Sequence, residues 1–237
     1  MKRFSLLAIF ITAVGTTGAT PFVAGAQERV GYPADKSPFR DLETPQRITL
    51  FTGYYNAGSD AVGAAPQSAP LIGLRYEVTL GGVAQFFTRA ARVSSERQSY
   101  NPSLVAGARS LGKVSDPLWL ADLGFSFNLT GQRSWHHFVP ALGFALGVAN
   151  ATSKAPNDPY RFGTQFSFST DMMLRYVPST SYEIRLGLNN TFYQNHYPSA
   201  YYTKASDNTS VLTSSTSKSS YMSNTMLTAG LSIPIFR

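Results

Sequence analysis

In the stretch LIGLRYEV, residues 71–78, Ile72, Leu74, Tyr76 and Val78 fall on one face of an extended chain, and Gly73, Arg75 and Glu77 fall on the other. The same period of two recurs along the chain. Segments of strand length are ITLFTGYY (48–55), LIGLRYEVT (71–79), VAQFFTRAARV (83–93), LWLADLGFSFNL (118–129), FVPALGFALGVA (138–149), FGTQFSFSTDMMLRYV (162–177), YEIRLGLNNTFYQ (182–194) and TMLTAGLSIPIF (225–236). Most are nine residues or longer, whereas soluble strands average about five or six and a tilted membrane strand needs about 9–11. The connections alternate in length. Leu80-Gly81-Gly82, TGQRSWHH and Pro178-Ser179-Thr180 are short, and 56–70, 94–117, 150–161 and 195–224 are long and polar. Short turns at one end and long loops at the other, on an even number of strands, predict an all-β, eight-stranded antiparallel up-and-down transmembrane barrel.

The end of the chain points the same way. Thr228-x-Gly230-x-x-Ile233-x-Ile235-Phe236 resembles the C-terminal signal read by the barrel-insertion machinery. It departs from that signal by ending on Arg237 and by carrying Pro234, which removes a ladder donor. In layout and end signal, residues 48–237 resemble the small eight-stranded outer-membrane barrels of the OmpA type. That resemblance implies a monomer in a bacterial outer membrane, with outer-membrane lipids and the insertion machinery as partners.

In such a barrel the faces invert relative to a soluble protein. Ile72, Leu74, Tyr76 and Val78 meet lipid, as do Trp119, Ala121, Leu123, Phe125 and Phe127, and Phe166, Phe168, Met172, Leu174 and Tyr176. On the third segment Gln85, Phe87 and Arg89 are assigned inward, because an arginine against hydrocarbon costs about 2–4 kcal/mol at mid-depth. A soluble lipocalin-like barrel would reverse every assignment.

Composition adds the compartment. Lys2 and Arg3, the apolar run Leu6–Val14 and Ala24-Gly25-Ala26 have the order of a secretory signal peptide over 1–26. Residues 27–47, with Pro33, Pro38 and Pro45, are expected as a periplasmic arm. There is no cysteine, which excludes a disulfide framework and thiol chemistry. Only 14% of residues are charged, against about 25% in soluble domains. The net charge of +7 is spread singly along the strands rather than in a basic run, which argues against nucleic acid as a partner.

The inward positions carry the candidate chemistry. Arg75, Arg89, Arg175 and Arg185 oppose Glu77, Asp122, Asp171 and Glu183, four against four. A balanced set inside a barrel narrow enough to be filled by its own side chains predicts internal pairing and a plugged lumen. A single-sign ring would instead have indicated ion selection. Two turns fix the expected pairings. A three-residue turn at 80–82 sets Gly73 opposite Arg89, and a turn centred on Ser179 sets Arg175 opposite Glu183 and Tyr176 opposite Tyr182.

Enzymatic readings find little support. His196-Tyr197-Pro198-Ser199 faintly resembles the His-x-Ser motif of lipid A deacylases, but it is one residue too long and contains Pro198, with Asp207 as the only acid near in sequence to orient the histidine. His136 and His137 beside Trp135 offer too few ligands for a metal, so neither metal nor cofactor is expected. Tyr54, Tyr55, Tyr193, Tyr197 and Tyr221 are expected in one interfacial girdle, and Trp135, Tyr176 and Tyr182 in the other. The Ser/Thr-rich loop 203–220 is expected to be mobile. Together these features describe a non-enzymatic barrel acting structurally or as a platform for its outer loops. The alternatives are a narrow pore or carrier for small or apolar solutes and a lipid A-modifying enzyme.

The layout carries a direct test. Protease added to intact cells should nick only within 56–70, 94–117, 150–161 or 195–224. Cleavage at 178–180 in cells with an unbroken outer membrane would reverse the topology.

Overall fold

The computed structural model describes residues 37–42 and 46–236, the last by its backbone alone. The expected signal peptide, residues 27–36 and 43–45 of the arm, and the Phe236 ring and Arg237 of the end signal lie outside the described residues. Eight long strands run β1 (Gln46–Asn56), β2 (Ala69–Gly81), β3 (Ala84–Val93), β4 (Leu118–Asn128), β5 (Phe138–Ala151), β6 (Gly163–Tyr176), β7 (Glu183–His196) and β8 (Ser219–Phe236). Each pairs antiparallel with its neighbours, and β8 pairs with β1, so the sheet closes. Closure leaves no unpaired edge, the condition for crossing hydrocarbon with strands. All eight predicted segments are present. Both ends of the barrel wall extend further than the pattern indicated, since β1 begins at Gln46 and β8 six residues before Thr225.

The alternation has the membrane sense. Leu74 is 55% exposed and its neighbour Arg75 only 5%. Large apolar side chains are exposed around the wall, from Leu50 on β1 through Leu123, Leu146, Phe168 and Leu186 to Leu227 on β8. An apolar surface of that extent on a soluble domain would far exceed the few hundred Å² that monomers expose. Arg89 points inward, as does Phe87.

Two predicted registers need correction. In the β2–β3 hairpin Arg75, not Gly73, stands opposite Arg89, because a bulge between Thr79 and Gly81 reduces the turn to Gly82-Val83. Gly81 and Gly82 both take positive φ, 129° and 57°, which a side chain at either position would oppose. In the β6–β7 hairpin Arg175 stands opposite Arg185 and Tyr176 opposite Ile184. The connection there is longer than the three residues 178–180, so every pair slips by two and the parity of the faces survives.

At the end with short turns, Phe39–Asp41 adds a three-residue strand to Arg133–Trp135. Trp135, Phe138, Tyr176 and Tyr182 are exposed there, as an interfacial belt requires. At the other end the long connection 94–117 contains a hairpin, Glu96–Tyr100 with Ser110–Ser115, that the pattern did not reveal.

A charge placed on the outward face should read its depth. Leu188→Arg, on β7 between Met172 and Leu227, should lower stability by about 2–4 kcal/mol in urea unfolding from lipid vesicles. A loss well below about 1 kcal/mol would place this face outside hydrocarbon.

Candidate functional site in the lumen and its loop cap

The lumen is built in layers, and the layer nearest the short turns is ionic. Arg89 donates to Asp122 (2.7 Å) and lies 3.7 Å from Asp171. Asp171 accepts from Arg75 (2.5 Å), which also donates to Glu77 (2.8 Å). Glu77 pairs with Arg185, and Arg185 reaches Glu183 at 3.1 Å. Glu183 takes two bonds from Arg175, at 3.1 and 2.9 Å. All eight residues singled out for the interior thus join one chain of alternating sign. Arg175 and Glu183 meet diagonally, two residues out of register, because the guanidinium is long enough to span the offset.

One member escaped the sequence reading. Arg47, assigned to the arm, is 4% exposed and lies 2.7 Å from Glu183. The count among the described residues is therefore five cations against four anions rather than four against four. The signal was present: with Ile48 and Leu50 outward, parity sends Arg47 and Thr49 inward. The Arg75 guanidinium also rests 3.7 Å over the Phe87 ring, which offsets part of its lost hydration. A gap of about 30 Å³ inside this network is lined by Arg75, Arg89, Asp171, Arg185 and Met226 among others, room for roughly one or two waters.

Above the ions the lumen turns apolar and aromatic. Leu71, Val93, Leu118, Leu120, Phe162 and Met226 pack there with Tyr55 and Tyr193, whose hydroxyls share a 2.6 Å hydrogen bond. Tyr55, Tyr193 and Tyr197 are therefore lumen residues, not girdle residues. Tyr54 and Tyr221 alone of the five face outward, 51% and 81% exposed. The hydroxyls find buried partners, so parity rather than amphipathic character decides their side.

The long loops close over this layer as one cap. Gln67 N–H donates to Glu96 O and Gln98 N–H to Gly63 O, both 2.8 Å, which adds loop 56–70 to the hairpin of 94–117. Asp158 from loop 150–161 is the hub, with Arg97 at 2.5 Å, the Tyr201 hydroxyl at 2.8 Å and the Tyr160 N–H at 2.9 Å. Arg97 is fully buried and also sits 3.3 Å from Asp116. Tyr197 donates to Asp60, and Arg109 donates to Thr209 Oγ1 (2.8 Å). The loop expected to be mobile, 203–220, contributes Leu212, which is buried and whose N–H is bonded to the O of Tyr201, itself buried just before the loop. The rest of 203–220 is exposed or half-buried.

These contacts tune the acids oppositely. Burial pushes Asp158 up, but hydrogen bonds from Arg97 and from Tyr160 and Tyr201 outweigh it and hold the carboxyl below its usual 3.8. Burial raises Asp116, and the Ser153 N–H and Arg97 only partly offset it. Burial and Asp158 push the Tyr201 hydroxyl far above its usual 10.

The deacylase-like segment is not assembled. His196 and Ser199 are exposed, and Asp207 accepts bonds from Ala106 N–H and Thr209 and faces Arg109. Those bonds, first that from Ala106, lower its carboxyl to about 2. His137 bonds Val177 O through Nδ1, and no group of three or more metal-ligating side chains forms among the described residues.

No family model and no curated protein matches this chain. Among solved structures it is similar to Neisserial surface protein A, at 12% identity over 80% of this chain and 97% of that one, with a TM-score of 0.52. This chain has the fold of the small eight-stranded outer-membrane β-barrels. It also aligns with Ail, the attachment invasion locus protein of Yersinia pestis, solved with the heparin analogue sucrose octasulfate. That match has 13% identity over 80% of this chain and 99% of that one, with a TM-score of 0.37.

Two measurements probe the layers of this barrel. Glu183→Ala removes the carboxylate that Arg47, Arg175 and Arg185 share and should cost about 3–5 kcal/mol in urea unfolding. Combined with Arg175→Ala it should lose less than the sum of the single losses, and simple additivity would mean the pair is uncoupled. The cap should respond to acid. A carboxyl with a lowered folded pKa contributes stability above its unfolded value and loses it as pH falls through the folded value. Asp158 should therefore release Arg97 and Tyr201 below about pH 3.8, while protonation of Asp116, which relieves its burial, opposes the change. Loop nicking by an acid-active protease should rise in that range with the strands still protected, and Asp158→Asn should show it at neutral pH.

Proposed function

We propose that this protein is a non-enzymatic integral protein of the outer membrane whose lumen is closed, and which presents its four long loops as one rigid outer surface. The observation that carries this reading is the continuity of the filling. Nine ionised side chains are paired in series across the barrel at one end. Above them, an apolar layer and the Arg97–Asp158 hub occupy the other. A solute would have to break several buried ion pairs at once, at a cost of several kcal/mol each.

A cap knit by bonds among all four loops holds a fixed shape outside the cell, which is what recognition at a surface needs. Ordered loops lose less conformational entropy on binding than free ones do. The exposed part of that surface combines polar residues with Leu104, Val105 and Leu111, which are exposed on the 94–117 connection.

Planar-bilayer recording of the refolded protein tests the closed lumen. No stable single-channel current is expected in wild type, and Arg97→Ala with Asp158→Ala is expected to stay closed because the ionic layer remains. Sustained conductance of wild type would establish a pore in place of the platform. Lipid A mass spectra from cells with and without the protein should be identical, and a new acylation state would establish an enzyme.

A further inference from the structure

On the outside of the barrel one strand differs from the other seven. Every barrel strand except β3 contributes at least one exposed large hydrophobic side chain among the described residues. The outward positions of β3 are Ala84, Phe86, Thr88, Ala90 and Arg92. Ala121 on β4 stands directly beside Ala90, so small side chains lie next to each other across the two strands. The result is a trough of about 570 Å³ in the lipid-facing wall. Thr88, Ala90 and Ala121 form its floor, and Leu74 and Tyr76 line one side against Leu123, Leu146 and Val148 on the other.

What lies above the trough is cationic. Arg92 is the next outward residue after Ala90, one position from the end of the strand at the loop side, and it is exposed. Its guanidinium lies 5.7 Å over the Trp119 ring and makes no ion pair among the described residues. Across from Trp119 stands Asn150, which donates to Thr164 Oγ1 at 2.6 Å. Below the trough Phe86 meets Phe125 edge to face, with ring centroids 5.7 Å apart, and closes the wall. From Arg92 to Phe86 the strand advances about 20 Å. At the roughly 35–45° tilt of barrel strands that is about 15 Å of depth, half of the ~30 Å hydrocarbon core. The trough is one leaflet deep.

We propose that this trough is a binding site for one lipid of the outer leaflet that carries a phosphate headgroup. An acyl chain lies on Thr88, Ala90 and Ala121, and the phosphate meets Arg92 over Trp119. The occupant follows from charge and place. An unpaired guanidinium at the interface, stacked on an indole, complements an anion. Immediately beneath it, the trough between Leu74 and Tyr76 on one side and Leu123, Leu146 and Val148 on the other gives the attached chain more contact than a flat wall would. The site rests on the outer-membrane placement proposed above.

Trp119 is a built-in reporter, since the chain has only two tryptophans. Trp135, at the opposite end, is removed as Trp135→Phe, and the full barrel is refolded into phosphatidylcholine vesicles. A minor fraction of the lipid carries bromine on its acyl chains, either as phosphatidic acid or as phosphatidylcholine. Quenching of Trp119 by brominated phosphatidic acid is expected at an about fivefold lower mole fraction than by brominated phosphatidylcholine, the enrichment one interfacial arginine supplies. Arg92→Gln should erase the preference. Ala90→Leu with Ala121→Leu should weaken quenching by both lipids, because the chain is displaced from the trough. Equal quenching by the two lipids in wild type overturns the proposal, as does a preference that survives Arg92→Gln. An equal preference read at Trp135 in Trp119→Phe also overturns it, because a general surface charge then accounts for the effect. If the double leucine variant does not insert, Arg92→Gln decides alone. Loss of β-sheet circular dichroism in every variant would count against the barrel itself rather than against the site.

Discussion

Everything in this molecule depends on one constraint: inside a bilayer each backbone N–H and C=O must find its partner within the chain. The pairing of β8 with β1 meets it, and once the sheet is closed the outward and inward faces have different solvents. Outward positions can be Leu, Phe and Ile at no cost, since lipid is as apolar as they are. Inward positions have no solvent to rely on, and eight strands enclose too little space for a hydrated channel. The charges that parity sends inside therefore have to neutralise one another, and the chain from Asp122 through Glu183 to Arg47 is the consequence.

The same narrowness explains the second layer. Toward the loop end the inward residues are Tyr, Met, Leu and Phe, and their packing would be exposed to the outside if the loops were loose. The buried Arg97–Asp158 pair draws the loops down onto it, with Tyr201 and Tyr160 satisfying the remaining carboxylate valences. Breaking one partner of such a pair leaves an uncompensated buried charge, so the cap is held as a unit rather than contact by contact. Surface shape and barrel closure are thus parts of one structure, and the trough on β3 is a dip in the outward wall where Thr88, Ala90 and Ala121 meet.

Alternation of period two, the strand lengths and the alternating loop lengths were enough to determine an eight-stranded barrel and which side chains face lipid. A face is a parity, and parity is local. That is why Arg75, Glu77, Arg89 and Phe87 were placed correctly inward while Arg47, outside the segment drawn as a strand, was missed. It is also why both register errors left every face intact: each slipped by an even number, two, through a bulge at Thr79/Gly81 and a longer turn after Tyr176.

Long-range pairing was beyond the sequence. Asp158 lies 61 residues from Arg97 and Tyr201 another 43 beyond Asp158, and no period or motif links them. Loop residues carry no alternation to read, so the Ser/Thr-rich segment 203–220 that looked free turned out to insert Leu212 under the cap. Tyr55, Tyr193 and Tyr197 were misplaced for a related reason, since a tyrosine suits an interface or a buried hydroxyl partner equally well and only the closed structure supplies that partner. What the chain determined by itself is the parity of each strand, and with it the two faces of the wall, because that follows from neighbours one and two positions away. What only the tertiary structure decided is who meets whom inside the wall and across the loops, because those encounters depend on where the closed sheet brings distant segments together.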